Sequence, residues 1–241
     1  MGHLDLACLG SPEVRHDGRV LTYRTRKTLA LLVYLAAEKG MHSREKITSL
    51  FWLESDEPQG RAMLRNTLLY LRQALGDHEP SHLIVDRHAL GFDFASDFDL
   101  DLQTVEVAFA RTRASAAGQV LEEDERQHLL AQLQDAVAAY RGSFLEGFYL
   151  DEAPDFDHWI QLQREVYQRR MSAVYDHLSS MQLDGGEFPG AIEAATRWIA
   201  HDSFNESAHR RLMQSYFAAG DRNAALPSMP WRRWPSSPAT M

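Results

Sequence analysis

The sequence predicts a mainly α-helical chain with a small β component, built as two modules of different grammar. Three observations carry this reading. The first 95 residues mix short alternating runs with helix-period stretches, the remainder is almost continuously helix-periodic, and charge is divided unevenly between the two parts. The chain has 241 residues, a formal net charge of -9, 44% hydrophobic and 24% charged residues, enough apolar matter for one or two ordered cores. Residues 1–94 hold 12 Lys+Arg against 12 Asp+Glu, so the acidic excess, 13 against 22, belongs to 95–241. An acidic average therefore conceals a neutral module with room for a basic face.

Taken in order, "LDLACL" alternates as a strand does, and "SPEVRHDGRVLTY" predicts two short strands about the turn signal Asp17-Gly18. From Arg24 the period changes: Leu29, Leu32, Val33 and Ala36 follow helical spacing, and Gly40 stands just past the helix end. "SREKITSLFW" predicts a shorter helix with Ser43 as its N-cap. A loop, "LESDEPQG", leads into a third helix over 61–75, and "HLIVDRHALGFDF" predicts two strands around a turn at Arg87–His88. Strands, three helices and a hairpin are the order of a winged helix-turn-helix with an added N-terminal sheet. We assign it to residues 1–95.

The second module, 96–226, predicts helices over 100–117, 122–140, 153–180, 187–200 and 203–219. "GEFPGAI" at 186 recurs as "GDRNAAL" at 220, an offset of 34 (220 minus 186) that is the tetratricopeptide period. Small Ala191 and Ala195 suit the close approach of paired helices. The second copy then breaks: Pro227 and Pro230 would sit inside the expected helix, at a cost of about 3 kcal/mol or more each. Residues 227–241 are expected to form an irregular Pro/Trp-rich tail, a truncated or frame-shifted end in place of the array's last helix.

Several chemistries find no residues to carry them. There is no G-x-x-x-x-G-K-[ST] phosphate loop and no G-x-S-x-G elbow, and lone Cys8 has no evident base, so neither an enzyme nor a cofactor is expected. Asp97, Asp99 and Asp101 open with calcium-loop spacing, but Leu102 and Ala108 stand where the turn glycine and closing glutamate belong. That stretch is expected to be an acidic linker that caps the next helix. His78, His82 and His88 lack thiols or carboxylates at metal-ligand spacing, so no metal is expected. "EEDE" at 122–125 suits the positive end of a helix dipole. One cysteine, no long apolar run and no secretory signal predict a cytoplasmic protein without a membrane partner.

The third helix concentrates the functional signal. At about 100° per residue, Leu64, Leu68, Leu71 and Leu75 form one seam. Arg61, Arg65 and Arg72 form a second stripe roughly 40° wide, with Asn66 and Gln73 further round. Guanidinium forks suit phosphate oxygens and the guanine edge, and amides suit adenine. Arg87 and His88 at the hairpin tip, Arg26 and Lys27 opening the first helix, and Arg44 opening the second complete the candidate DNA-binding set, the last three beside helix N-termini. The competing reading is a solvated helix whose arginines cover the core edge, in a helical-repeat scaffold that binds protein and not DNA.

"LACLGSPEVRHDGRVL", "RKTLALLVYLA", "SREKITSLFW" and "RAMLRNTLLYLRQALGD" resemble the OmpR-type winged helix of the Streptomyces antibiotic regulatory protein family. "AYRGSFLEGF", Trp159 with Arg164, and the stretch from Ala191 to Leu226 resemble the bacterial transcriptional activation domain that follows it. The resemblance implies a regulator, an activator by family habit, whose third helix enters the major groove of double-stranded promoter DNA through Arg61, Arg65, Asn66 and Arg72. It also implies contact of the loop 53–60 with RNA polymerase and leaves a homodimer open. Three departures stand out: no further nucleotide-binding region, no final repeat helix, and acidic "ESDE" at 54–57, which suits a basic protein surface and repels phosphate.

Overall fold

The computed structural model describes residues 2–76, 82–115 and 122–225. His78 and the Pro/Trp-rich stretch 227–241 lie outside the described residues. The chain is mainly α with a small β component, and it divides into two compact units. The first comprises the residues up to Thr104 together with Ala139–Tyr167; the second comprises Val105–Ala138 and the residues from Gln168 onward.

In the first unit, β1 (Leu4–Ala7), β2 (Glu13–His16) and β3 (Arg19–Val20) form an antiparallel meander. Asp17 and Gly18, at φ 50° and 75°, make the tight β2–β3 turn, the geometry that matches strand twist. Helix α1 (Arg26–Ala37) starts on Thr25, whose side chain accepts from the Thr28 amide. Strand β4 (His42–Ser43) leads to α2 (Arg44–Phe51), capped by Ser43 at the Lys46 amide, and then to α3 (Glu57–Leu75). Strands β5 (Leu83–Val85) and β6 (Ala89–Phe92) form the predicted hairpin, and β4 joins its far edge.

Two departures from the expected elements matter. Helix α3 begins at Glu57, four residues before the predicted start, because Asp56 accepts from the Gln59 amide at 2.8 Å and Pro58 occupies the first turn. The second departure concerns the stretch expected to be an acidic linker. Phe98–Leu100 is strand β7, paired parallel to β1, and Asp101 opens α4 (Asp101–Ser115). The Asp101 carboxylate accepts the Cys8 and Leu9 amides, each at 2.7 Å. The linker is thus the fourth strand of the sheet, a parallel pairing that no local pattern announces.

The leucine seam of α3 is buried: Leu64, Leu68, Leu71 and Leu75 are at most 6% exposed. Gly60 lets α3 pass close to α2, since a Cβ there would collide with the Thr48 methyl. Residues 139–153 and the start of α6 (Pro154–Asp184) complete this unit. Leu9 bridges Phe144, and Gly142 approaches Gly10 so closely that a Cβ would sit 3.2 Å from the Gly10 Cα. Arg164 then donates to the Phe144 and Leu145 carbonyls at 2.9 and 2.7 Å.

The second unit contains most of α4, α5 (Glu123–Ala139), the later turns of α6, α7 (Phe188–His201), α8 (Glu206–Ala218) and α9 (Arg222–Ala225). Acidic Glu123, Asp124 and Glu125 occupy the first turn of α5. Ala191 and Ala195 on α7 are fully buried. Gly186 and Gly220, both at positive φ, precede α7 and α9 at corresponding places, so the 34-residue offset is a structural repeat (222 minus 188).

Candidate nucleic-acid interface

Helix α3 turns Leu64, Leu68, Leu71 and Leu75 inward, while Leu69, at 51% exposed, lies outward beside the arginines. Arg61 and Arg65 are exposed and Arg72 is half-buried in the last turn, where a cation also suits the helix dipole. Arg61 pairs with Glu57 one turn back, an exposed i,i+4 pair of the kind that contributes a few tenths of a kcal/mol, about 0.3–0.5. Neither Arg65 nor Arg72 has an ion-pair partner among the described residues. Arg61 and Arg65 therefore form a solvent-facing edge, with Arg72 partly covered at its end.

The hairpin tip is also exposed at Arg87 and His88, and its shape is fixed from below. Asp86 caps the tip by accepting the His88 amide at 2.6 Å. Arg44 reaches across from α2: its Nε and Nη2 donate to the Asp86 carbonyl at 3.2 and 2.8 Å, and its amide donates to the His88 carbonyl at 2.9 Å. Arg44 is thus engaged in holding the hairpin.

Arg26 and Lys27 lie elsewhere. The Arg26 guanidinium sits over the rings of Phe148 and Tyr149 at 4.8 and 4.7 Å. The Lys27 ammonium lies 3.3 Å from Glu152 and 5.5 Å from the Trp52 ring centre. Asn66, exposed on α3, faces the same region. Together they line a cleft of about 670 Å³, closed on one side by Tyr149–Glu152. The nine predicted residues therefore separate into the α3 arginines, the hairpin tip with Arg44 behind it, and a cleft group of Arg26, Lys27 and Asn66.

Other interactions escape the pattern of single residues. Arg24 stacks on Tyr70 of α3 at 4.5 Å, which fixes the entry into α1 against α3. Glu38, just past α1, accepts from Trp159 Nε1 at 2.7 Å and Gln163 Nε2 at 3.1 Å with one carboxylate oxygen. Trp159 also meets Tyr34, Phe144 and Phe156 at centroid distances of 5.1 to 5.5 Å. An aromatic at 159 with an amide one helical turn later is the only local signal for this joint.

Comparison with known proteins places the chain by family and by fold. The bacterial transcriptional activator domain matches residues 105–228. In fold the chain is similar to Mycobacterium tuberculosis EmbR, solved in complex with a low-affinity phosphopeptide, at a TM-score of 0.69 and 18% identity. The match covers 95% of this chain and 58% of that one, so the chain spans little more than half of that protein. No curated protein sequence matches the chain.

Proposed function

The chain belongs to the bacterial transcriptional activator domain family, and from that premise we propose that it is a regulator that binds double-stranded promoter DNA through α3 and the β5–β6 wing. The observation that carries the proposal is the exposed edge of Arg61 and Arg65 on a helix whose neighbouring leucine seam is buried. A helix anchored in that way presents one row of guanidinium groups at a width the major groove admits. Recognition falls on Arg61, Arg65 and Asn66. Arg72, Arg87 and His88 contact backbone phosphates, which position the helix without reading sequence. Arg26 and Arg44 act mainly by holding the neighbouring segments, and Lys27 lines the cleft beside α3. The OmpR-type assignment of the N-terminal unit belongs to this proposal.

Polymerase contact falls on the short loop before α3, where Leu53 is 55% exposed and Glu54 is exposed beside it. Its acidity repels phosphate and suits a basic protein surface. The role is regulatory, with no bond-making step.

The test is a gel-shift titration on duplexes selected from a random library with the full chain. Arg65→Ala is expected to weaken the selected duplex by about 1–3 kcal/mol and relax preference at one position. Unchanged affinity together with unchanged preference would remove Arg65 from the interface. Failure of the native chain to enrich any duplex would leave the scaffold reading in its place.

A further inference from the structure

We propose that the cleft beside α3 is a binding site for a small planar aromatic monocarboxylic acid. The cleft lies in the same compact unit as the proposed DNA interface and shares Asn66 with it, but the test of the inference needs no nucleic acid. The volume, about 670 Å³, lies within the range of roughly 300–1,000 Å³ typical of small-molecule sites.

The walls define the ligand. Trp52, Tyr70 and Tyr149 put aromatic side chains in the lining and Met63 a polarisable thioether, surroundings that suit a flat ring system. Lys27 supplies the charge. Its ammonium is held over Trp52 and paired with Glu152, whose side chain is 86% exposed. So exposed a partner contributes at most about 1 kcal/mol and swings into water at little cost, leaving Lys27 for a carboxylate that arrives with a buried ring. The first turn of α1 carries no acidic residue, so its N-terminal end favours the same anion. Asn66 offers donors and an acceptor to a ring heteroatom or carbonyl.

The charges also set a limit. Arg26 and Lys27 face Glu54, Asp151 and Glu152 around the rim. With Glu152 swung into water, two cations face two carboxylates, so the rim takes one further negative charge at most and disfavours a di- or triphosphate, which excludes nucleotides as the class. Because the cleft joins α3, the loop before it and the 149–152 segment, an occupant bridges the elements on which the regulator reading depends.

The experiment is isothermal titration of the full chain with 2-naphthoate, with neutral 2-naphthamide, and with ADP as a polyanionic control. One saturable site for naphthoate is expected, about tenfold tighter than for the amide, the effect of one charge-assisted contact. Lys27→Met should bring naphthoate down to the amide's level, and Glu152→Gln should tighten it. Tyr149→Ala should weaken both ligands, and because Tyr149 is 53% exposed this variant spares the fold. No saturable heat at millimolar naphthoate, equal binding of acid and amide, indifference to Tyr149→Ala, or tighter binding of ADP would each overturn the proposal. A chain that ignores DNA yet binds naphthoate in this pattern retains it.

Discussion

Asp101 shows how much one side chain decides in the sheet. Its Oδ2 accepts two backbone amides from the end of β1, while its Oδ1, also buried, makes no hydrogen bond. Burial pushes the carboxyl up from 3.8 to about 6, against the pull of those amides and of Arg141. The folded state therefore holds this proton more tightly than the unfolded state. The stabilisation linked to it is full below pH 4 and is lost as pH rises through about 6. Asp101→Asn keeps an oxygen for both amides and is expected to flatten the pH 4–6 slope of the thermal midpoint and raise the midpoint at pH 7. Asp101→Leu orphans both amides and should cost about 2–4 kcal/mol in urea unfolding. His177 and His201 in the second unit run the other way. Burial lowers both below 6.5, so the stability tied to their neutral form is lost as pH falls through 6.5 and below. His201→Gln should remove part of that acid sensitivity; an unchanged midpoint between pH 5 and 7 would show that His201 is not its source.

At the scale of elements, α3 depends on its cap as much as on its seam. Asp56 satisfies the Gln59 amide and places acid at the positive end of the helix. Asp56→Ala is expected to cost about 1 kcal/mol in denaturant unfolding and to lengthen the loop before the helix. The sequence signals for α1, α3 and the repeat helices were plain, because leucines and alanines at 3.6-residue spacing declare which face is buried. Ser43 likewise marked a real boundary, while α3 closes on Gly76 at φ 69°. Strand β7 stayed hidden because "DFDLD" looks like a solvated acidic run and its partner lies more than 90 residues away in the chain. The arginine edge was legible by period alone, whereas the cleft was not: Lys27, Trp52, Asn66 and Tyr149 share no local pattern and meet only after folding.

On the scale of the whole molecule, the N-terminal unit is not a contiguous stretch. Residues 139–167 pack with the winged-helix residues, through the Glu38–Trp159 joint, the Leu9–Phe144 bridge and the Phe51–Phe156 pair at 4.8 Å. A fragment of residues 1–95 leaves Tyr34, Phe51 and Leu9 without these partners. It is expected to bind a hydrophobic dye, to melt without a sharp transition, and to lack the duplex preference proposed for the full chain. A sharp melt and native preference in that fragment would show that 139–167 is dispensable. For the intact chain, the logarithm of duplex affinity should fall linearly with the logarithm of salt, as counterion release requires. The same interleaving has a consequence during synthesis. The nascent chain emerges with β1 and α1 long before the segment that covers them, and at roughly 5–20 residues per second the aromatic face waits several seconds for residue 167 to leave the ribosome. Holdase chaperones have that interval in which to act, and slow codons between the two segments would prolong it.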